Sequence, residues 1–169
     1  MLYRKQHQGI NTKEVKLAKW PLFAIPLFLV FIGVLGGIVT DIGVNTWYQS
    51  INLPIITPSA VIIGTVGIIL YILIGISWLS FYRSSDRKEQ DLHYIFGVNL
   101  FLNPLWSYIF FAWNQVGLAL VEMTILNLTT IYLIFRLWQK HLLSASLLIP
   151  YFFWVSFASY LTLLIYQLN

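Results

Sequence analysis

The sequence predicts an all-α integral membrane protein, a bundle of five transmembrane helices, and three observations carry that prediction. Charged residues make up 9% of the chain, against roughly 25% in a soluble domain, whose surface must be wetted. Mean hydropathy is +0.76, and the few charges are separated by apolar runs. Several of these reach the length of about 20 residues needed to cross a hydrocarbon core of about 30 Å. All ten Lys and Arg fall in alternate segments between those runs. The runs lack the ten-residue polar/apolar alternation of an outer-membrane barrel, so helices are expected and not strands.

The elements follow in order. Residues 1–19 form a basic leader with Arg4, Lys5, Lys13, Lys16 and Lys19. The uncharged run from Lys19 to Asp41 predicts the first span, over 20–41. It is too long for a signal h-region and ends in no small-residue cleavage site, which predicts an uncleaved span. Residues 42–58 form a loop without Lys or Arg, in which Pro54 and Pro58 interrupt any helix. A second span is expected over 59–82, followed by Arg83, Arg87 and Lys88. The third is expected over 92–112, where Trp113-Asn114-Gln115 breaks the run, and the fourth over 116–137. Arg136 and Lys140 precede the fifth, over 143–167. With five spans, every basic segment falls on one side, which the positive-inside rule makes cytoplasmic. The N-terminus is therefore expected inside and the C-terminus outside, in a membrane of the bacterial cytoplasmic type. The same topology explains the net charge of +4 without a nucleic-acid partner.

Catalytic and metal-binding patterns are weak. His7, His93 and His141 are not paired at ligand spacing, there is no cysteine, and no Gly-rich loop or nucleophile elbow is present. Nothing in the sequence calls for a resident cofactor. The intramembrane polar residues say more. Asn99, Asn103 and Ser107 recur at i, i+4 and i+8, so they share one helix face. Such a row is costly against lipid and should face the bundle interior. Two readings stay open for it: interhelical hydrogen bonding, worth about 0.6 kcal/mol per contact, or contact with a ligand. Pro104 on the same span frees a backbone carbonyl and predicts a kink that opens space beside Asn103 and Trp106.

Glu122 is a carboxylate inside an apolar run, read as a helix-N-terminal acid favoured by the macrodipole in preference to a functional group. Gly33 and Gly37 form a GxxxG, and Gly64, Gly67 and Gly75 punctuate the second span; tight packing within the bundle is the expectation. On the fifth span Trp154, Ala158, Leu161 and Thr162 follow helical spacing. Trp20, Trp78, Trp113 and Trp138 fall near span ends, where interfacial belts account for them. Trp47, Trp106 and Trp154 do not, and are candidates to line a cavity. Aromatic walls with a few polar groups suit a flat, largely apolar ligand.

The segments "WYQSINLP", "LYILIGIS", "NLFLNPLWSYIFF", "GLALVEMTILNL" and "LLIPYFFWVSFASYLTLLIYQLN" together resemble the translocator protein family, also called tryptophan-rich sensory proteins or peripheral-type benzodiazepine receptors. The match covers roughly residues 47–169, and the basic leader has no counterpart in it. The resemblance implies a five-helix bundle, often a homodimer, with a ligand cavity lidded by the first loop. It implies tetrapyrroles such as protoporphyrin and haem, or sterol-like molecules, as ligands. Carried over by motif, it places Trp47 and Tyr48 in the lid, Asn103 and Trp106 on cavity positions of helix three, and Trp154, Ala158 and Leu161 on cavity positions of helix five. The candidate ligand-binding residues are these together with Gly67 and Tyr71 of the second span and Asn99 and Ser107 of the polar stripe.

The departures matter as much. Ile56 and Val61 stand where the family's loop carries tryptophans, and Ser59 replaces a proline. Thr65-Val66-Gly67 stands where the family has Pro-Val-Trp. Some family members are linked to light-dependent porphyrin breakdown involving paired tryptophans. Of that pair only the residue matching Trp154 remains. The expectation is therefore a binding sensor or translocator, in preference to a porphyrin-degrading enzyme or a structural, partner-binding membrane protein.

Overall fold

The computed structural model describes residues 21–84 and 89–169. The basic leader, Trp20, Arg87 and Lys88 lie outside the described residues. Five helices account for most of the rest: α1 Pro21–Val44, α2 Ala60–Ser84, α3 Gln90–Ser107, α4 Val116–Trp138 and α5 Leu142–Leu168. A π-helical turn, Tyr108–Ala112, continues α3, and a short 3-10 turn, Trp47–Ser50, follows α1. All five helical segments are long and apolar enough to cross a membrane. With the π turn counted as the end of the third, their ends fall within three residues of the expected spans.

The boundaries have local causes. Ser59 caps α2: its Oγ accepts from the Ile62 N–H at 3.4 Å, and its carbonyl accepts from Ile63 at 3.0 Å. An N-cap hydroxyl satisfies one of the donors that the first turn leaves unbonded. Pro104 cannot donate to the Leu100 carbonyl, and four residues later the helix loosens into the π turn, where the Trp113 N–H reaches Tyr108 O at 2.9 Å. Asn114 then takes a positive φ of 56°. Asparagine tolerates this left-handed conformation better than most residues, and it turns the chain into α4.

The helices pack as a closed ring in the order α1, α2, α5, α4, α3 and back to α1, with α4 and α5 the most intimate pair. Two ends result. The lid end gathers Val44, Ala60, Ala112, Val116 and Leu168; the charged end gathers Ser84, Gln90, Trp138 and Leu142. At the charged end Arg136 pairs with Asp91 at 3.1 Å, and Glu89 takes both Lys140 at 3.1 Å and His141 Nε2 at 3.0 Å. Phe81 of α2 packs between His93 and His141, with ring centroids 4.7 and 4.9 Å away. Trp78 stacks on Phe96 at 5.8 Å and donates its indole N–H to His93 Nδ1 at 3.0 Å. It is thus part of the packing at this end as well as close to an interface.

Helix association in lipid rests on close packing and interhelical hydrogen bonds, because lipid tails are as apolar as the side chains they replace. Ser77 Oγ donates to the Ser144 carbonyl at 2.8 Å, joining α2 to α5. Asn127 joins α4 to α5 through Ser159 and Ser156, at 2.9 and 3.0 Å. Glycine serves close approach at two positions. A Cβ on Gly43 would collide with the Phe111 ring, and one on Gly75 with Leu29. Gly33, Gly37, Gly64 and Gly67 differ: a Cβ on any of them would meet nothing within 4 Å. The tight-packing expectation therefore holds at Gly75 and not at these four, which border open space.

A cavity between α1, α2, α3 and α5

That open space is a cavity of about 890 Å³ between α1, α2, α3 and α5, with Met123 and Leu126 of α4 behind it. It exists because α2 meets α3 chiefly at the charged end, through Trp78 and Phe81, while towards the lid end the ring stays open inside. The α1 wall follows one helix face: Gly33, Gly36, Gly37, Thr40 and Val44. The facing wall on α2 carries Gly64, Gly67, Tyr71 and Gly75. Such glycine-rich walls present flat backbone surface where side chains would otherwise fill the space. A smaller depression of about 400 Å³ lies between α4 and α5 among Ile131, Phe135, Ile149 and Phe153, and is almost wholly apolar.

Of the residues singled out from sequence, Tyr48, Gly67, Tyr71, Asn103, Trp106, Ser107, Trp154, Ala158 and Leu161 all line this cavity. The structure does not bring Asn99 and Trp47 to its wall. Asn99 is fully buried. Its Nδ2 donates to Thr129 Oγ1 and Thr130 Oγ1, both at 2.9 Å, and its Oδ1 accepts from the Tyr151 hydroxyl at 3.1 Å. Thr129 and Thr130 spend their own protons on the Leu126 carbonyl, so their oxygens are free to accept. Asn99 thus fastens α3 to α4 and α5. Trp47 sits in the 3-10 turn with its ring edge on Phe110, 5.3 Å between centroids, and packs behind the wall.

The polar stripe of α3 therefore divides between the two readings left open for it. Asn99 is interhelical fastening. Asn103 belongs to both, since it borders the cavity and donates to the Tyr151 hydroxyl. Ser107 borders the cavity with its Oγ 3.3 Å from Thr40 Oγ1 of α1. Tyr151 is the residue that sequence reasoning missed. Its hydroxyl accepts from Asn103 and donates to Asn99, and its ring lines the cavity. The signal was available: Tyr151 lies three residues before Trp154 and seven before Ala158, on the same helix face.

The loop over the lid end is tied down by a reciprocal pair. Asn169 Oδ1 accepts from the Asn52 backbone N–H at 2.9 Å, and Asn169 Nδ2 donates to the Asn52 carbonyl at 3.1 Å. From this loop Tyr48 and Pro58 reach the cavity. Ile55 and Ile56, the latter at a family tryptophan position, are exposed and do not line it. Glu122 is the seventh residue of α4, beyond the first turn where a macrodipole acts strongly. It is buried, 4% exposed, and neither carboxylate oxygen has a hydrogen-bond partner among the described residues. The helix-terminal reading of this acid does not fit that placement.

The geometry can be set beside known proteins. The sequence profile of the TspO/MBR family matches residues 24–168. The chain is 35% identical over 125 residues to the tryptophan-rich protein TspO of Bacillus cereus, covering 74% of this chain and 82% of that relative. It is 33% identical over 148 residues to the tryptophan-rich protein TspO of Archaeoglobus fulgidus, covering 88% and 96% respectively. Protein CrtK of Rhodobacter capsulatus is 26% identical over 129 residues, 74% of this chain and 79% of that protein. The matched region runs through all five membrane-spanning helices and the lid loop, and the chain belongs to the TspO/MBR family.

Proposed function

We propose that the chain binds a flat, largely apolar molecule of the tetrapyrrole class, protoporphyrin or haem, in the cavity between α1, α2, α3 and α5, and acts as a membrane sensor or translocator for it. The observation that carries this reading is the cavity itself. Its volume of about 890 Å³ lies towards the upper end of the roughly 300–1,000 Å³ typical of small-molecule sites. Glycine-bared backbone forms two of its walls, and Trp106 and Trp154 stand on others. Hydroxyl and amide groups of Thr40, Tyr48, Tyr71, Asn103, Ser107 and Tyr151 supply a few orienting contacts. Such a site suits a planar aromatic body. The proposed orientation places the charged end in the cytoplasm and the lid loop outside, in a bacterial cytoplasmic membrane. A homodimer accords with the family resemblance.

Binding is favoured over light-driven chemistry because Gly67 stands where the family carries the tryptophan paired with the one matching Trp154. The test is a tryptophan-quenching titration with protoporphyrin in detergent and in bilayers, for the wild type and Ala158→Phe. Saturable quenching is expected, with its midpoint shifted by the ring added beside Trp154 on the cavity wall. Illuminating the same samples should give little or no protein-dependent conversion of the porphyrin. Absence of saturable binding in both media would favour a structural or partner-binding role. Conversion abolished by Trp154→Phe would favour the enzyme.

A further inference from the structure

Every exposed residue on the cavity wall belongs to α1 or α2. On α1, Val30, Val34 and Gly37 form one exposed edge of the helix, at i, i+4 and i+7. On α2 the facing edge is Gly64, Ile68 and Ile72, at i, i+4 and i+8. Val34 is 55% and Ile68 65% exposed, whereas the wall formed by α3, α4 and α5 is buried or half-buried throughout. Residues that border the cavity and the outer surface at once define a slot between the two helices. Towards the charged end the slot closes, where Gly75 admits Leu29. From Gly75 back to Ala60, the first residue of α2, the helix runs about 22 Å at 1.5 Å per residue. Along that stretch Gly33, Gly37, Gly64 and Gly67 contribute no side chain, and a Cβ on any of them would meet nothing within 4 Å. No hydrogen bond among the described residues crosses from α1 to α2. Thr40 of α1 turns instead to Ser107 of α3, at 3.3 Å.

We infer that this slot is a lateral passage, through which a flat apolar ligand moves between the hydrocarbon of the bilayer and the cavity. The inference rests on the proposed binding function and adds to it the route and the phase from which the ligand comes. Both edges of the slot lie on membrane-spanning helices, and their exposed Val and Ile side chains face lipid tails. A ligand crossing there stays in apolar surroundings. A route through the lid would carry it into water and forfeit about 25 cal/mol per Å² of apolar surface. That route would also break the reciprocal pair of Asn52 and Asn169, which ties the loop to the end of α5. The slot reaches the lid end, where Val44 and Ala60 border the cavity. Carboxylates on one edge of a tetrapyrrole therefore stay among the headgroups while its ring moves sideways.

The chain has no cysteine, so introduced pairs can be joined selectively by a flexible bismaleimide. Val34→Cys with Ile68→Cys spans the slot, the two positions being nearly level in the register set by Leu29 and Gly75. Asn52→Cys with Asn169→Cys spans the lid contact. Each protein is held as one copy per phosphatidylcholine nanodisc, which keeps a second chain off the slot, and intact mass confirms the link. Protoporphyrin is supplied from phosphatidylcholine vesicles, and stopped-flow tryptophan quenching follows its entry and release. Linking the slot should slow both at least about tenfold relative to the same protein unlinked, with Kd moving far less than either rate. Linking the lid should leave both rates within about twofold. Gly64→Phe, which sets a ring in the slot without a linker, should slow entry and release together. Rates that neither the slot link nor Gly64→Phe slows, or that the lid link slows as much or more, overturn the inference and leave the binding function standing. If protoporphyrin does not bind the unlinked wild type saturably, the proposed function falls and this inference with it.

Discussion

Gly67→Trp is the perturbation that most directly tests whether the space beside α2 is a ligand site. A Cβ at Gly67 meets nothing within 4 Å, and the residue borders the cavity. The indole therefore enters open space and avoids the overpacking cost of about 1–3 kcal/mol seen in filled cores. Replacing a mid-helix glycine also recovers a few tenths of a kcal/mol of helix propensity. Stability should thus change by under about 1 kcal/mol, a shift in Tm of no more than about 4 °C by the scaling for chains of this length. Affinity should respond more strongly. The cavity, at about 890 Å³, is roomy, and an added aromatic wall brings about 0.5–1.5 kcal/mol of ring–ring attraction beyond the area it buries. We expect protoporphyrin Kd to fall about tenfold, or about 1.4 kcal/mol. Quenching titration gives the affinity, and thermal unfolding in the same detergent gives the stability. A Kd unchanged within twofold refutes the reasoning by placing Gly67 outside the ligand's reach, and a weakened one refutes it by showing that the indole takes volume the ligand needs. A large loss of stability refutes it differently, by showing that the space is filled.

Two further predictions concern groups that the cavity does not fully expose. Tyr151→Phe removes the donor to the buried Asn99 Oδ1 and the acceptor for Asn103; the orphaned Asn99 oxygen should cost about 1–2 kcal/mol of stability. Thermal unfolding checks this, and in the double variant with Asn99→Leu the losses should be sub-additive, whereas strict additivity would separate the two side chains. Glu122→Met replaces a buried carboxyl that lacks any hydrogen-bond partner among the described residues. It should raise thermal stability, because an unpaired polar group in an apolar interior is a net cost, and should leave porphyrin affinity unchanged, since Glu122 is not on the cavity wall. A fall in Tm on that substitution would reveal a partner that the carboxyl does engage.

The spans were legible because charge is expensive in hydrocarbon and their limits are set by a few residues: Pro54 and Pro58 with the Ser59 cap, and Trp113-Asn114-Gln115 with the left-handed Asn114. Position on a helix face was legible too, and Trp106, Ser107, Trp154, Ala158 and Leu161 all reached one cavity. What periodicity could not assign was what stands opposite that face. Asn99 and Asn103 share a stripe one turn apart, yet Asn99 meets Thr129 and Thr130 across a closed helix contact while Asn103 borders empty space. The difference is made by α2, which closes on α3 near Phe96 and stands away from it further along. Trp47 fails the same test, because a 3-10 turn aims its ring at Phe110, and a turn has no period to read. Glycine spacing was ambiguous for a related reason. Gly75 and Gly67 look alike in sequence, but one admits Leu29 and the other admits nothing. A small residue shows only that its own side chain is absent. Whether a helix or a ligand takes that space depends on its neighbours, so at Gly67 the missing indole and the open cavity are one observation, and binding is the function it bears on.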